Sequence, residues 1–101
     1  MEAQFYITLS FKTGEDYKPF AKYFLGNDHT IAYAIFKQLK GYDEVDDTNF
    51  ICLDFIETKQ GLPKNLKVKS CTLQQLCENC GIITKELFKF INIEGHKPLL
   101  E

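Results

Sequence analysis

The sequence predicts an α+β fold in the order ββα–ββα–α, with a four-stranded, mainly antiparallel sheet and helices packed on one face. Three observations carry this reading. Residues 4–12 alternate apolar and polar side chains with the period of two that a half-buried strand requires. Residues 29–40 instead place Ile31, Ala34, Ile35 and Leu39 on one stripe at helical spacing. A shift of 44 residues superposes Leu9 on Leu53, Phe11 on Phe55 and the helix cap Asp28 on the cap Thr72, a hint of two similar ββα units. A chain of 101 residues, 45% apolar and 26% charged, suits one domain with an ordinary core.

The elements follow in order. In the first strand Phe5, Ile7, Leu9 and Phe11 point one way, and Tyr6, Thr8 and Ser10 the other. Turn chemistry opens the stretch 13–19, and Pro19 biases Lys18 away from helix, so residues 20–25 are read as a second strand closed by Gly26. Asp28 is placed to cap the first helix and Gly41 to terminate it. Residues 42–49 form an acidic loop. Residues 50–58, apolar on both faces, make a third strand, and a turn around Gly61 leads to a fourth over 65–71. There Leu66, Val68 and Ser70 are expected toward the helices, and Lys67 and Lys69 away from them. Thr72 caps a short helix that carries Leu73, Leu76, Cys77 and Cys80 inward and stops at Gly81. Thr84 caps a last helix with Leu87, Phe88 and Ile91 on its stripe, and residues 94–101 form a loosely held tail.

Composition limits the function classes. All twelve basic residues are Lys, and the net charge is −2 with pI near 5.7. Without Arg there is no planar fork to grip phosphate or guanine, and a net acidic chain attracts polyanions poorly, so nucleic acid is disfavoured as a partner. A strand carrying Lys64, Lys67 and Lys69 is what such an accessory role would use. No apolar run is long enough to span a bilayer. The opening MEAQFYITLSFK has no secretory pattern, so a cytoplasmic, reducing setting with free thiols is expected.

Catalytic patterns are missing: the sequence has no GxSxG, HExxH, P-loop or dinucleotide-binding glycine motif. Asp28–His29 could orient a general base, but an Asp that caps a helix beside a histidine is the commoner arrangement. The chain is therefore read as non-enzymatic. Asp43, Glu44, Asp46 and Asp47 fail the calcium-loop pattern, because Val45 takes a ligand position and the required glycine is absent.

Cysteines supply the alternative reading. Cys71, Cys77 and Cys80 form a C-x5-C-x2-C string, and the last two share a helix face, so the three could ligate zinc with a fourth group from elsewhere. A single CxxC is a weak signal, and the same residues also suit a buried apolar stripe. The outer sheet face points elsewhere. Tyr6, Thr8, Cys52, Asp54, Ile56, Lys67 and Lys69 are expected there, joined by either Phe20 and Phe24 or Tyr23 and Leu25. A face this apolar suits a protein contact, with Tyr6, Asp54, Lys67 and Lys69 as the binding residues and a protein partner or a homodimer as the outcome. Its rival is a last helix folded over that face.

Overall fold

The computed structural model of the chain describes residues 3–43 and 50–93. Its elements are β1 (Ala3–Thr13), β2 (Asp16–Gly26), α1 (His29–Gln38), β3 (Ile51–Lys59), β4 (Leu62–Cys71) and α2 (Leu73–Ile93). The expected acidic loop and tail lie largely outside the described residues. The four strands form one antiparallel sheet in the order β2-β1-β3-β4.

The 44-residue hint has a geometric meaning. Leu9 pairs directly with Leu53 at the centre of the sheet, Ile7 with Phe55, and Phe11 with Ile51. A two-fold rotation through the Leu9–Leu53 pair therefore exchanges β1–β2–α1 with β3–β4–α2. Each unit opens with a tight hairpin. Thr13 and Asp16 flank a turn entered by Gly14 at φ 69°; Gln60 at φ 55° and Gly61 at φ 80° are both positive, as a type I′ turn requires.

β2 begins before Pro19 rather than after it. Proline has no N–H for a sheet ladder and is tolerated where the strand is an edge or bulged. Both hold here: β2 is an edge, and its register shifts beside Pro19, between the partners of Leu9 and Ser10.

Both helices lie on one face. Phe5, Ile7, Leu9, Leu53 and Phe55 from the sheet meet Ala32, Ile35 and Phe36 of α1, Leu39 just past its end, and Ile83 of α2. Phe55 is the hub, stacked on Phe36 at 5.2 Å and on Phe5 at 5.9 Å between ring centroids. Cys80 of α2 accepts the Tyr23 hydroxyl of β2 at 3.7 Å, and Asn79 bonds the backbone of Lys40 just past α1. So α2 packs beside α1 and not over the opposite face.

Helix starts follow the sequence. Asp28 Oδ1 accepts the N–H groups of Thr30 and Ile31 at 2.8 and 3.2 Å. Thr72 Oγ1 accepts Gln75 N–H while Gln75 Oε1 accepts Thr72 N–H, a reciprocal capping box. The expected break at Gly81 does not occur, and α2 runs through it as one helix. Gly81 has no positive φ, and the Thr84 hydroxyl donates to Cys80 O one turn back instead of capping a new helix. Cys80, Ile83 and Leu87 carry the buried stripe across the glycine.

The end of α1 is also revised. Its C-cap is Leu39, and Gly41 answers a close approach: a Cβ there would lie 2.5 Å from the Ser70 carbonyl oxygen. Lys69 Nζ reaches the carbonyls of Leu39 at 2.7 Å and of Phe36 at 3.4 Å, the latter already accepting Leu39 N–H at 3.1 Å.

That contact reverses the expected faces of β4. Lys69 pairs with Leu53 and Lys67 with Phe55, so both lysines share the helix side, while Val68 pairs with Asp54 on the other. Leu66 does pack on the core as expected, but it is the extra residue of a bulge, and the alternation changes phase beyond it. The fully buried Cys71 then takes the core position that Ser70 was expected to hold.

Candidate functional site

The face turned away from the helices is built as rows across the sheet. One row is Phe24–Tyr6–Ile56–Asn65, the next Lys22–Thr8–Asp54–Val68, and the next Pro19–Ser10–Cys52–Ser70. The two-residue period puts these side chains on one side of the pleat, and the β2 register chooses Phe24 and Lys22 over Tyr23. No helix among the described residues covers the first two rows, whereas Ser10, Cys52 and Ser70 of the third are buried.

Tyr6 organises the first two rows. Its ring meets Phe24 at 5.4 Å, Lys22 Nζ sits 4.1 Å above its centroid, and its hydroxyl donates to Gln4 Oε1 at 3.0 Å. Asp54 Oδ1 accepts the Asn65 amide at 2.9 Å. The patch is thus apolar at its centre, with one cation and one carboxylate on the same row. Phe24 is 48% exposed, a large loss of hydrophobic stabilisation for a side chain with no role in contact.

The sheet edges are guarded. β2 carries Lys18, Pro19, Lys22 and two register shifts; β4 carries Pro63, Lys64 and Lys67 and one shift. Proline, lysine and bulges all obstruct the addition of another strand. The end of β4 is occupied as well, since Tyr42 exchanges both backbone hydrogen bonds with Ser70.

Of the expected binding residues, Tyr6 and Asp54 stand on this face. Lys67 and Lys69 stand on the opposite one for the bulge reason given above, so the four do not form one site. Phe24 and Lys22 replace them.

The string Cys71, Cys77 and Cys80 is not brought together as a metal site. Cys71 is buried, with its thiol pushed up to about 11 by burial and then by the nearby Cys52 and Cys80. Cys77 is exposed, and Cys80 is half-buried on Tyr23. Among the described residues no three His, Cys, Asp or Glu side chains are grouped to hold a metal. Burial also raises Cys52, against a lowering hydrogen bond from Tyr17. Tyr23 is raised first by its bond to Cys80 and then by burial.

Asp28, which could have oriented His29, uses its Oδ1 as the helix cap. The His29 ring lies against Phe5 at 5.4 Å and Tyr33 at 5.8 Å. Sequence reasoning missed Asn79, fully buried in α2; the only signal was a polar residue between Cys77 and Cys80 on a stripe read as apolar.

No helix among the described residues is long and apolar enough to cross a membrane. No protein family model matches the chain, and no curated protein or solved structure matches it either.

Proposed function

We propose that the chain is a non-catalytic protein-interaction module whose contact surface is the open sheet face and whose partner is a second copy of itself. The observation that carries this is the row Phe24–Tyr6–Ile56, left uncovered by the described residues beside a row that holds both Lys22 and Asp54. An isologous contact needs a patch complementary to itself. A patch with an apolar centre and both charge signs meets that need, since Lys22 of one copy can face Asp54 of the other. The guarded edges turn association away from strand addition and toward the face.

Strands about 4.8 Å apart and rising about 3.3 Å per residue make the part of this face that is not buried on the order of 20 by 20 Å. That is roughly 400 Å² per copy, below the usual size for a specific dimer, so the affinity belongs in the micromolar range or weaker. Sedimentation equilibrium of the full chain across that range tests the reading. A dimer is expected that chelator leaves intact and Phe24→Glu dissociates without changing the circular dichroism spectrum. A wild-type chain that stays monomeric at about 500 μM, or a dimer indifferent to Phe24→Glu, refutes it.

A further inference from the structure

On the other side of the sheet, α1, β4 and Asp43 border a half-open concavity of about 200 Å³ lined by Tyr33, Phe36, Lys37, Asp43, Lys67 and Lys69. Three lysines and one carboxylate line it. Lys69 gives two of its three donors to the carbonyls of Leu39 and Phe36, and its Nζ lies 5.1 Å from the Phe36 ring centroid. Lys37 Nζ sits 5.6 Å from the Tyr33 centroid. Neither Lys37 nor Lys67 has an ion-pair partner among the described residues.

Both are exposed, and they flank a concavity with an aromatic wall, while the third is fixed at its rim by the end of a helix. Burial lowers the Lys69 pKa and the Asp43 charge raises it, so a further anion in the cavity would act in the direction Asp43 already does. The volume decides the size of guest. At about 200 Å³ it lies below the roughly 300–1,000 Å³ of pockets for larger ligands.

We propose that this cavity binds a small ligand joining one flat ring to one phosphate or carboxylate, with the ring against Tyr33 and the anion between Lys37, Lys67 and Lys69. Lysines suit such an anion as point charges and need no bidentate geometry. The site is independent of the open sheet face, so the two readings stand or fall separately.

The test is an amide-resolved NMR titration of the full chain with phenyl phosphate, benzoate, inorganic phosphate and phenol. Saturable shifts at residues 33–37 and 67–69 are expected with phenyl phosphate, benzoate or both, and whichever binds tighter identifies the anion. Inorganic phosphate and phenol should each bind about tenfold more weakly, since each keeps one half of the recognition. Lys67→Gln and Lys37→Gln, both at exposed positions, should weaken the ring-bearing anion about tenfold, whereas Phe24→Glu should not. The proposal is overturned if neither ring-bearing anion saturates below about 10 mM. It is equally overturned if inorganic phosphate binds as tightly as phenyl phosphate, or if both lysine variants bind like the wild type.

Discussion

Asn79 offers the sharpest test of how the two halves of the chain are joined. Its side chain is fully buried in α2, accepts Lys40 N–H at Oδ1 over 2.7 Å, and donates from Nδ2 to Lys40 O over 2.8 Å. One amide thereby satisfies both backbone groups of a residue just beyond α1. Each such bond contributes about 1 kcal/mol net, so Asn79→Ala should cost about 2 kcal/mol, with water reaching part of the vacated space. Asn79→Leu keeps the volume but excludes that water and leaves a buried donor and acceptor unmet, so it should cost about 3 kcal/mol or more. Urea unfolding reads both directly, and thermal unfolding should fall by about 4–8 °C per kcal/mol.

Asn79→Asp adds a pH signature. At neutral pH its carboxylate can still accept from Lys40 N–H but faces the Lys40 carbonyl as like against like, in a buried site. The folded-state pKa of that Asp would lie above its unfolded value, so the protonated form is favoured and stability is lost as pH rises through the folded pKa. The gap between this variant and wild type should therefore narrow as pH falls from 7 toward 4. An Asn79→Ala cost below about 0.5 kcal/mol, or an Asp gap that does not change with pH, would refute the reasoning.

Other perturbations follow from the same structure. Gly41→Ala should destabilise by about 1–3 kcal/mol in urea unfolding, because its Cβ would collide with the Ser70 carbonyl at a φ of 149°. Gly81→Ala should do the opposite, raising stability by about 0.5–1 kcal/mol, since the position is exposed, helical and open around the new methyl. Thr72→Ala removes one arm of the capping box and should cost about 1 kcal/mol. In native thiol titration only the exposed Cys77 should react fast, with Cys71 silent until unfolding. Because the Cys71 pKa is raised from 9.0 to about 11, its contribution holds below pH 9 and is lost as pH climbs toward 11. The alkaline slope of stability should accordingly be shallower in Cys71→Ala than in wild type.

Where local chemistry decides structure, the sequence was readable. Asp28 and Thr72 cap where their side chains meet free N–H groups, and the alternation of Phe5, Ile7 and Leu9 names the buried face of β1. The errors arise where a partner distant in sequence decides. Leu66, Val68 and Ser70 alternate as cleanly as β1 does, yet the bulge at Leu66 changes the phase, and the carbonyls at the end of α1 give Lys69 a reason to face inward. Gly81 carries the usual sign of a helix end, but Ile82 and Ile83 pay for its passage by burying the next turn. Tyr6 and Asp54 were identified on the open face because they stand on strands of regular period. Phe24 was left undetermined because the bulges of β2 hide its parity.

The symmetry of the sheet makes the departures from symmetry informative. Leu9 and Leu53 sit on the pseudo-two-fold, and both helices start at equivalent positions, yet α1 stops at Gln38 while α2 runs on to Ile93. Nothing in the residues that end α1 demands so short a helix; Leu39 and Lys40 have good helix propensity. What meets the chain there comes from the second unit. Lys69 takes the α1 carbonyls, Asn79 takes both backbone groups of Lys40, and Ser70 exchanges hydrogen bonds with Tyr42 across a gap only glycine fits at position 41. The first helix is thus terminated by the second unit, and the same contacts that terminate it set Lys69 at the rim of the lysine cavity. An isolated first unit would lack every one of these partners and the Phe55 hub as well, so the two ββα units form a single cooperative structure and not two that merely share a sheet.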